Sequence, residues 1–250
     1  MVPVGRTKVL CGALVLVIFL ATVSSGCLST EDDDDGKIKP GKLVTEDEEM
    51  ELGSADSVEV YLEQNVGDLY VSGGASKLME ATFRYNVDKW KPEVTYREVG
   101  GDWNLSVVQP NTHLQVATGA RNEWDISLDD DVPIEFVANV GVGSPEISIG
   151  GLNLQDVDVN IGVGDLDLRL GSYDGDNLTV DVHTGVGDVT IRVPSGMGVR
   201  VIAVTDVGTI SATGFTMVGA EYHSSDYDVD QPHIVVTAMV GTGDITIVET

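Results

Sequence analysis

Residues 160–170 read NIGVGDLDLRL. Apolar residues alternate up to a Gly-x-Gly-Asp and alternate again beyond it. Side chains along an extended strand point to opposite faces with period two, so Val157, Val159, Ile161 and Val163 share one face. After Gly164-Asp165, Leu166, Leu168 and Leu170 share a face. The step from 163 to 166 is odd, so the inward parity flips at Gly-Asp. Such a flip requires a bend or bulge that re-aims the chain. The stretch therefore reads as two strands joined at a corner. The next unit has the same form: Leu178, Val180, Val182, Thr184 and Val186 precede Gly187-Asp188, and Val189, Ile191 and Val193 follow it.

The corner recurs along the chain. VEVYLEQNVGDLYVSG at 58–73, IEFVANVGVGSPEISIGG at 134–151, VRVIAVTDVGTISATG at 199–214 and IVVTAMVGTGDITIVE at 234–249 repeat it. The step is 21 residues from Val142 to Val163, 23 from Val163 to Val186 and 21 from Val186 to Val207. The last unit is displaced by an inserted segment at 213–232. A unit of this length cannot bury its apolar face alone, and stacking on its neighbours supplies the missing partner. The expected fold is all-β: a solenoid-like stack of two-stranded repeats of 21–23 residues, pairing in sequence order, with an N-terminal β cap. The strand-like segments MEATFRYNV, KPEVTYREVGG, DWNLSVVQP and NEWDISL, between 75 and 132, read as a meander forming that cap, and they hold Trp90, Trp103 and Trp124.

Gly-x-Gly-Asp admits chemical readings too. A dinucleotide fingerprint needs a helix after the glycines, and here a strand follows. A calcium-binding roll needs a short repeat with Asp in every turn. The corner position instead reads Asp68, Ser144, Asp165, Asp188, Thr209, Asp244, and in sequence order only Asp165 and Asp188 would be neighbours. Glycine for unusual dihedrals and aspartate for turn hydrogen bonding explain the motif as a structural corner.

The chain has 41 acidic and 14 basic residues for a formal charge of −27, which makes nucleic acid a poor partner. Arg6 and Lys8 precede an uncharged run from Val9 to Thr30. This is the layout of a secretory signal (1–26) with Cys27 as a lipidated first residue, or of an uncleaved membrane anchor. Either places the remainder outside the cytoplasm, attached to the membrane. Ten acids and three lysines with few large apolar residues make 27–54 an expected disordered tether. An N-terminal β subdomain over 55–135 and the repeat stack over 136–250 follow. Cys11 and Cys27 are the only cysteines, so no disulfide staples the β region.

Functional candidates are few. The insertion gathers His223, Asp226, Asp228, Asp230 and His233, which form either a weak divalent-cation site or an exposed polar loop. No nucleophile–base set has motif support, so neither an enzyme nor a cofactor is expected. The outward face is polar at Asp158/Asn160 and Asp181/His183 and apolar at Ile202, Val204 and Met239. Those three are candidates for docking a partner, unless 213–232 folds over them.

FRYNVDKWKPEVTYRE at 83–98, LSVVQP at 105–110 and NEWDISLDDDVPIEFVANVGVG at 122–143 resemble the toast-rack domain and its N-terminal portion. That domain is the extracytoplasmic or C-terminal part of LiaF-type cell-wall-active antibiotics response proteins. The resemblance covers roughly 55–250. It implies an all-β stack, no catalytic residues and a role in envelope sensing. LiaF-type proteins carry several transmembrane helices before the domain, and this chain has one apolar segment. The functional expectation is a membrane-tethered binding or sensing protein of the cell envelope, with a protein or glycan partner. The alternative is an adhesin-like structural or glycan-binding surface module.

Overall fold

The computed structural model describes residues 39–99, 102–110, 118–171, 175 and 177–250. Apart from one 3-10 turn at Asp88–Trp90, their regular elements are all strands, in two large mixed sheets. The nine-stranded sheet runs, in spatial order, β1 (Val44–Met50), β4 (Met79–Tyr85), β7 (Asn122–Asp129), β3 (Asp68–Ala75), β9 (Glu146–Ser148), β11 (Leu166–Arg169), β13 (Val189–Val193), β19 (Ile245–Glu249), β15 (Ile210–Thr213). The ten-stranded sheet runs β16 (Thr216–Val218), β17 (Glu221–His223), β14 (Gly198–Val207), β18 (His233–Thr242), β12 (Leu178–Val186), β10 (Leu154–Val163), β8 (Ile134–Val142), β2 (Val58–Val66), β6 (Asp102–Val108), β5 (Glu93–Val99). Each repeat sends its first strand into the ten-stranded sheet and, past the Gly corner, its second into the nine-stranded one. Inward side chains of both sheets form a single core cluster, from Val44 to Ile247.

The repeats pair in parallel and in register: Val159 lies opposite Ala138 and Val182, and Val182 opposite Ala238. Stacked corners leave no room for a side chain. A Cβ on Gly164 would overlap the carbonyl oxygen of Gly143, and one on Gly187 that of Gly164. Gly164 (φ +141°) and Gly187 (φ +144°) also adopt a conformation that L side chains rarely reach. Three corner aspartates cap their neighbours. Asp165 Oδ1 accepts from the Asp188 N–H at 2.9 Å, Asp188 Oδ1 from Asp244 N–H at 2.8 Å, and Asp244 Oδ1 from Thr209 N–H at 2.7 Å.

That ladder corrects the expected order. The repeats do not all stack in sequence order: β18/β19 lies between β12/β13 and β14/β15. Asp188 therefore neighbours Asp244, and Thr209 ends the column. The inward residues of the two units differ in apolar bulk. β14 has Thr205 where β18 has Val240, and β15 has Ala212 where β19 has Ile247, so β18/β19 buries more by lying between two neighbours. The 213–232 segment forms the β16–β17 hairpin beside β14 and gives the chain length to return.

Three further expectations change. The segments between 75 and 132 are strands but not a meander, since β4 and β7 join one sheet and the β5–β6 hairpin the other. Residues 44–50, assigned to the tether on their charge, form β1. Val44, Glu46 and Met50 turn inward, with Glu46 accepting from Lys91 Nζ at 2.8 Å. Val163 and Val186 are half-exposed at the corner, so the last inward residues before the flip are Ile161 and Thr184. The interval to Leu166 or Val189 is still odd, and the flip stands.

Candidate functional site

The outward face of the ten-stranded sheet is built row by row from the repeat register. One row reads Glu63, Asn139, Asn160, His183, Met239, Val204 across β2, β8, β10, β12, β18 and β14. Two residues further on, the repeats place Gly141, Gly162, Gly185 and Gly241 in a column. Close strand approach requires them: a Cβ on Gly162 would lie 2.5 Å from the Gly141 carbonyl oxygen, and one on Gly185 2.6 Å from that of Gly162. A bare glycine strip beside a row of side chains makes a trough. Its volume is about 810 Å³, and Tyr61, Asn65 and Asp206 complete its lining.

The trough is held by its own hydrogen bonds. Asn160 Nδ2 donates to Asn139 Oδ1 at 3.1 Å and to Asp158 Oδ1 at 2.7 Å. Tyr61 donates to Glu63 Oε2 at 2.8 Å. Partial burial and that bond raise the Tyr61 hydroxyl above its ordinary pKa, so it remains a neutral donor. Amides, one phenol, the Glu63 and Asp206 carboxylates and an exposed imidazole supply donors and acceptors along the row, while Met239 and Val204 add apolar surface at one end. Its size lies within the range of about 300–1,000 Å³ usual for ligand sites.

A carboxylate cluster lies beside the trough. Partial burial, then Asp181, Glu135 and Asp158, push the Asp156 carboxyl above its usual range. A raised folded-state pKa makes a stability contribution that is fully present below the unfolded value and lost as pH rises through the folded one. Asp156→Asn is thus expected to raise stability at pH 7 by a few tenths of a kcal/mol, discounted for exposure. The gain should vanish below the carboxylate range, and melting curves at neutral and acidic pH check it.

The other candidates sort as follows. Val204 and Met239 are opposite one another, exposed by 49 % and 42 %, with Ile202 half-buried on the same face. The β16–β17 hairpin does not cover them, because it pairs only with Arg200 and Val201. His223 and His233 are brought together around Tyr227, with ring centroids 4.4 and 5.1 Å from it. His223 Nε2 contacts Glu221 Oε2, and His233 Nδ1 contacts the Gln231 carbonyl. Asp228 accepts from the Asp230 N–H, and Asp226 from the Ser225 hydroxyl. These bonds fold a tight loop, and among the described residues no three or more His, Cys, Asp or Glu side chains gather as a metal ion would require. Cys27 lies outside the described residues, among which no helix is long and apolar enough to cross a membrane.

Sequence reading found Asn160 and His183 on the outward face but not the trough. The available signal was the first glycine of Gly-x-Gly, which recurs on the outward parity beside that row.

The fold matches a known one. Residues 39–192 match the family model described as "N-terminal domain of toast_rack, DUF2154". A crystal structure of a "putative cell adhesion protein" from Clostridium sporogenes is 31 % identical, with a TM-score of 0.79, covering 84 % of this chain and 100 % of that one. A "putative adhesin" from Bacteroides fragilis is 14 % identical over 84 % of this chain and 100 % of its own, at a TM-score of 0.35. The comparison with curated proteins gave no match. The chain belongs to the toast-rack N-terminal-domain family.

Proposed function

We propose that the protein is an extracytoplasmic binding module of the cell envelope, held to the membrane by its N-terminal segment through a lipidated Cys27 or an uncleaved anchor. It acts by binding, not catalysis. The parallel repeats serve as a solenoid-like scaffold whose rows of equivalent residues form one long recognition track. The observation that carries this reading is the trough, where Asn139, Asn160 and His183 project at strand spacing beside the bare glycine strip. Such a track fits an extended polar polymer, because ligand hydroxyls can meet a donor or acceptor about every 4.8 Å. A neutral glycan suits it best, since Glu63 and Asp206 repel acidic sugars. The adhesion description of the Clostridium sporogenes relative supports a surface role. The family resemblance supports a role in envelope sensing or stress response, with the ligand as the signal.

Asn160→Ala with His183→Ala is expected to weaken binding of neutral cell-wall or surface polysaccharide by about tenfold, or 1.4 kcal/mol, with the fold kept and the melting temperature lowered only by the loss of the two Asn160 hydrogen bonds. Calorimetric titration with neutral and acidic polysaccharides measures this. Equal affinity of the variant and the parent protein sinks the assignment to the trough.

A further inference from the structure

The two ends of the double sheet differ in charge and in finish. At one end β1 carries Glu46, Asp47, Glu48 and Glu49, and β5 carries Glu93 and Glu98. Charged edge strands are a familiar block to strand addition. At the other end, among the described residues, β15 pairs only with β19, and β14 is covered from Val199 to Val201 by Ser224 and β17, which leaves Ile202–Val207 with a free edge. From Ile202 to Ala220 the sequence has one charged residue, Asp206, in a chain of net charge −27. Val204, Val207, Met217 and Val218 are all about half-exposed or more there. Beyond the β16–β17 hairpin over the first part of β14 and the shortness of β15, this end lacks the charged side chains that guard the other.

The edge is also self-complementary. The Ile245 N–H donates to the Thr209 carbonyl at 2.9 Å. By strand alternation Ser211 also faces β19, so Ile210 and Ala212 present their N–H and C=O groups to the free side. A second β15 laid antiparallel pairs Ile210 with Ala212 of the copy and sets Ser211 opposite itself. The half-buried Ile210 and Ala212 then continue the core across the joint, and the exposed Ser211 and Thr213 stay outside. Acidic ends repel one another and cannot supply this edge, so growth stops at two copies, as a closed two-fold interface requires.

We propose that two copies of this chain join tail to tail through β15 and the uncovered half of β14, extending both sheets across a two-fold axis. The joint uses backbone edges and needs no ligand in the trough, although Val204 and Asp206 of the same β14 segment line the end of the trough beside it. Light scattering of the full chain in detergent is expected to give twice the chain mass. Ser211→Glu sets like charges directly opposite each other across the axis, and adding Thr213→Glu, which lies opposite Thr209 of the copy, crowds further negative charge beside them; the pair is expected to weaken association at least about tenfold while leaving the melting temperature of the subunit intact. Ser211→Cys is expected to cross-link to its own copy under mild oxidation, since non-hydrogen-bonded antiparallel partners lie within disulfide reach. Glu48→Cys, at the opposite end, is expected not to. A parent chain that stays monomeric overturns the proposal, as does a dimer that survives the double substitution or cross-linking through position 48 in place of 211.

Discussion

Alanine at Gly164 is expected to cost about 3–5 kcal/mol, from a strained positive φ and from overpacking together. For a domain of this size that corresponds to roughly 6–20 °C of melting temperature. The new Cβ meets the Gly143 carbonyl oxygen, a backbone atom that no rotamer change can move aside. The β8–β9 corner would have to shift, and it is bonded to the next corner through the Gly143 N–H to Val163 carbonyl bond at 3.0 Å. Two comparison variants divide the effect. Gly196 has φ +78° with nothing within 4 Å of an added Cβ, so Gly196→Ala measures the dihedral cost alone. Gly162 lacks a positive φ but has the Gly141 oxygen at 2.5 Å, so Gly162→Ala measures the overlap alone. If Gly164→Ala melts no lower than Gly196→Ala, the corners are not closely stacked.

The corner was the most legible feature because two independent constraints write it into the sequence. Parity demands an odd step, and close stacking demands glycine, so both the strand pairs and their register could be read. The row Asp158, Asp181, Thr237, Ile202 is in the structure as its spacing suggests. Spatial order is a different matter, since neighbouring parallel strands impose the same pattern whichever unit lies beside them. The clue was faint: Thr209 breaks the aspartate column. Asp165, Asp188 and Asp244 each accept from the next corner's N–H and Thr209 has no corner beyond it, but Ser144 also lacks the carboxylate inside the stack, so the column alone does not give the order. Charge misled in β1, where composition over a window hid the Val44, Glu46, Met50 alternation, and the partner of Glu46 is Lys91, which is distant in sequence. The trough was missed because it consists of absent side chains, and glycine was already explained by the turn.

Truncating Trp124 to alanine is expected to have the larger effect of the two, because it removes packing and a hydrogen bond together. The indole is fully buried on β7, edge-on to Phe83 with ring centroids 5.7 Å apart. Its Nε1 donates to Asn122 Oδ1 at 3.1 Å, and Asn122 Nδ2 donates to the Val66 carbonyl at 2.8 Å and to Gln109 Oε1 at 3.1 Å. Gln109 Oε1 also accepts from the Val66 N–H at 3.0 Å. The ring therefore holds the side chain that ties the nine-stranded sheet to the end of β2. Loss of the ring costs about 3–5 kcal/mol, and a buried acceptor left without its donor adds about 1–3 kcal/mol. Trp124→Phe keeps most of the volume and loses only the donor, so it should cost about 1–3 kcal/mol. Denaturant titrations of both variants measure the difference. Equal losses would mean that the hydrogen bond, not the ring's bulk, is what the core needs at this position. A large gap places the stability in packing between β4 and β3, where the repeats first meet the strands that close the acidic end of the stack.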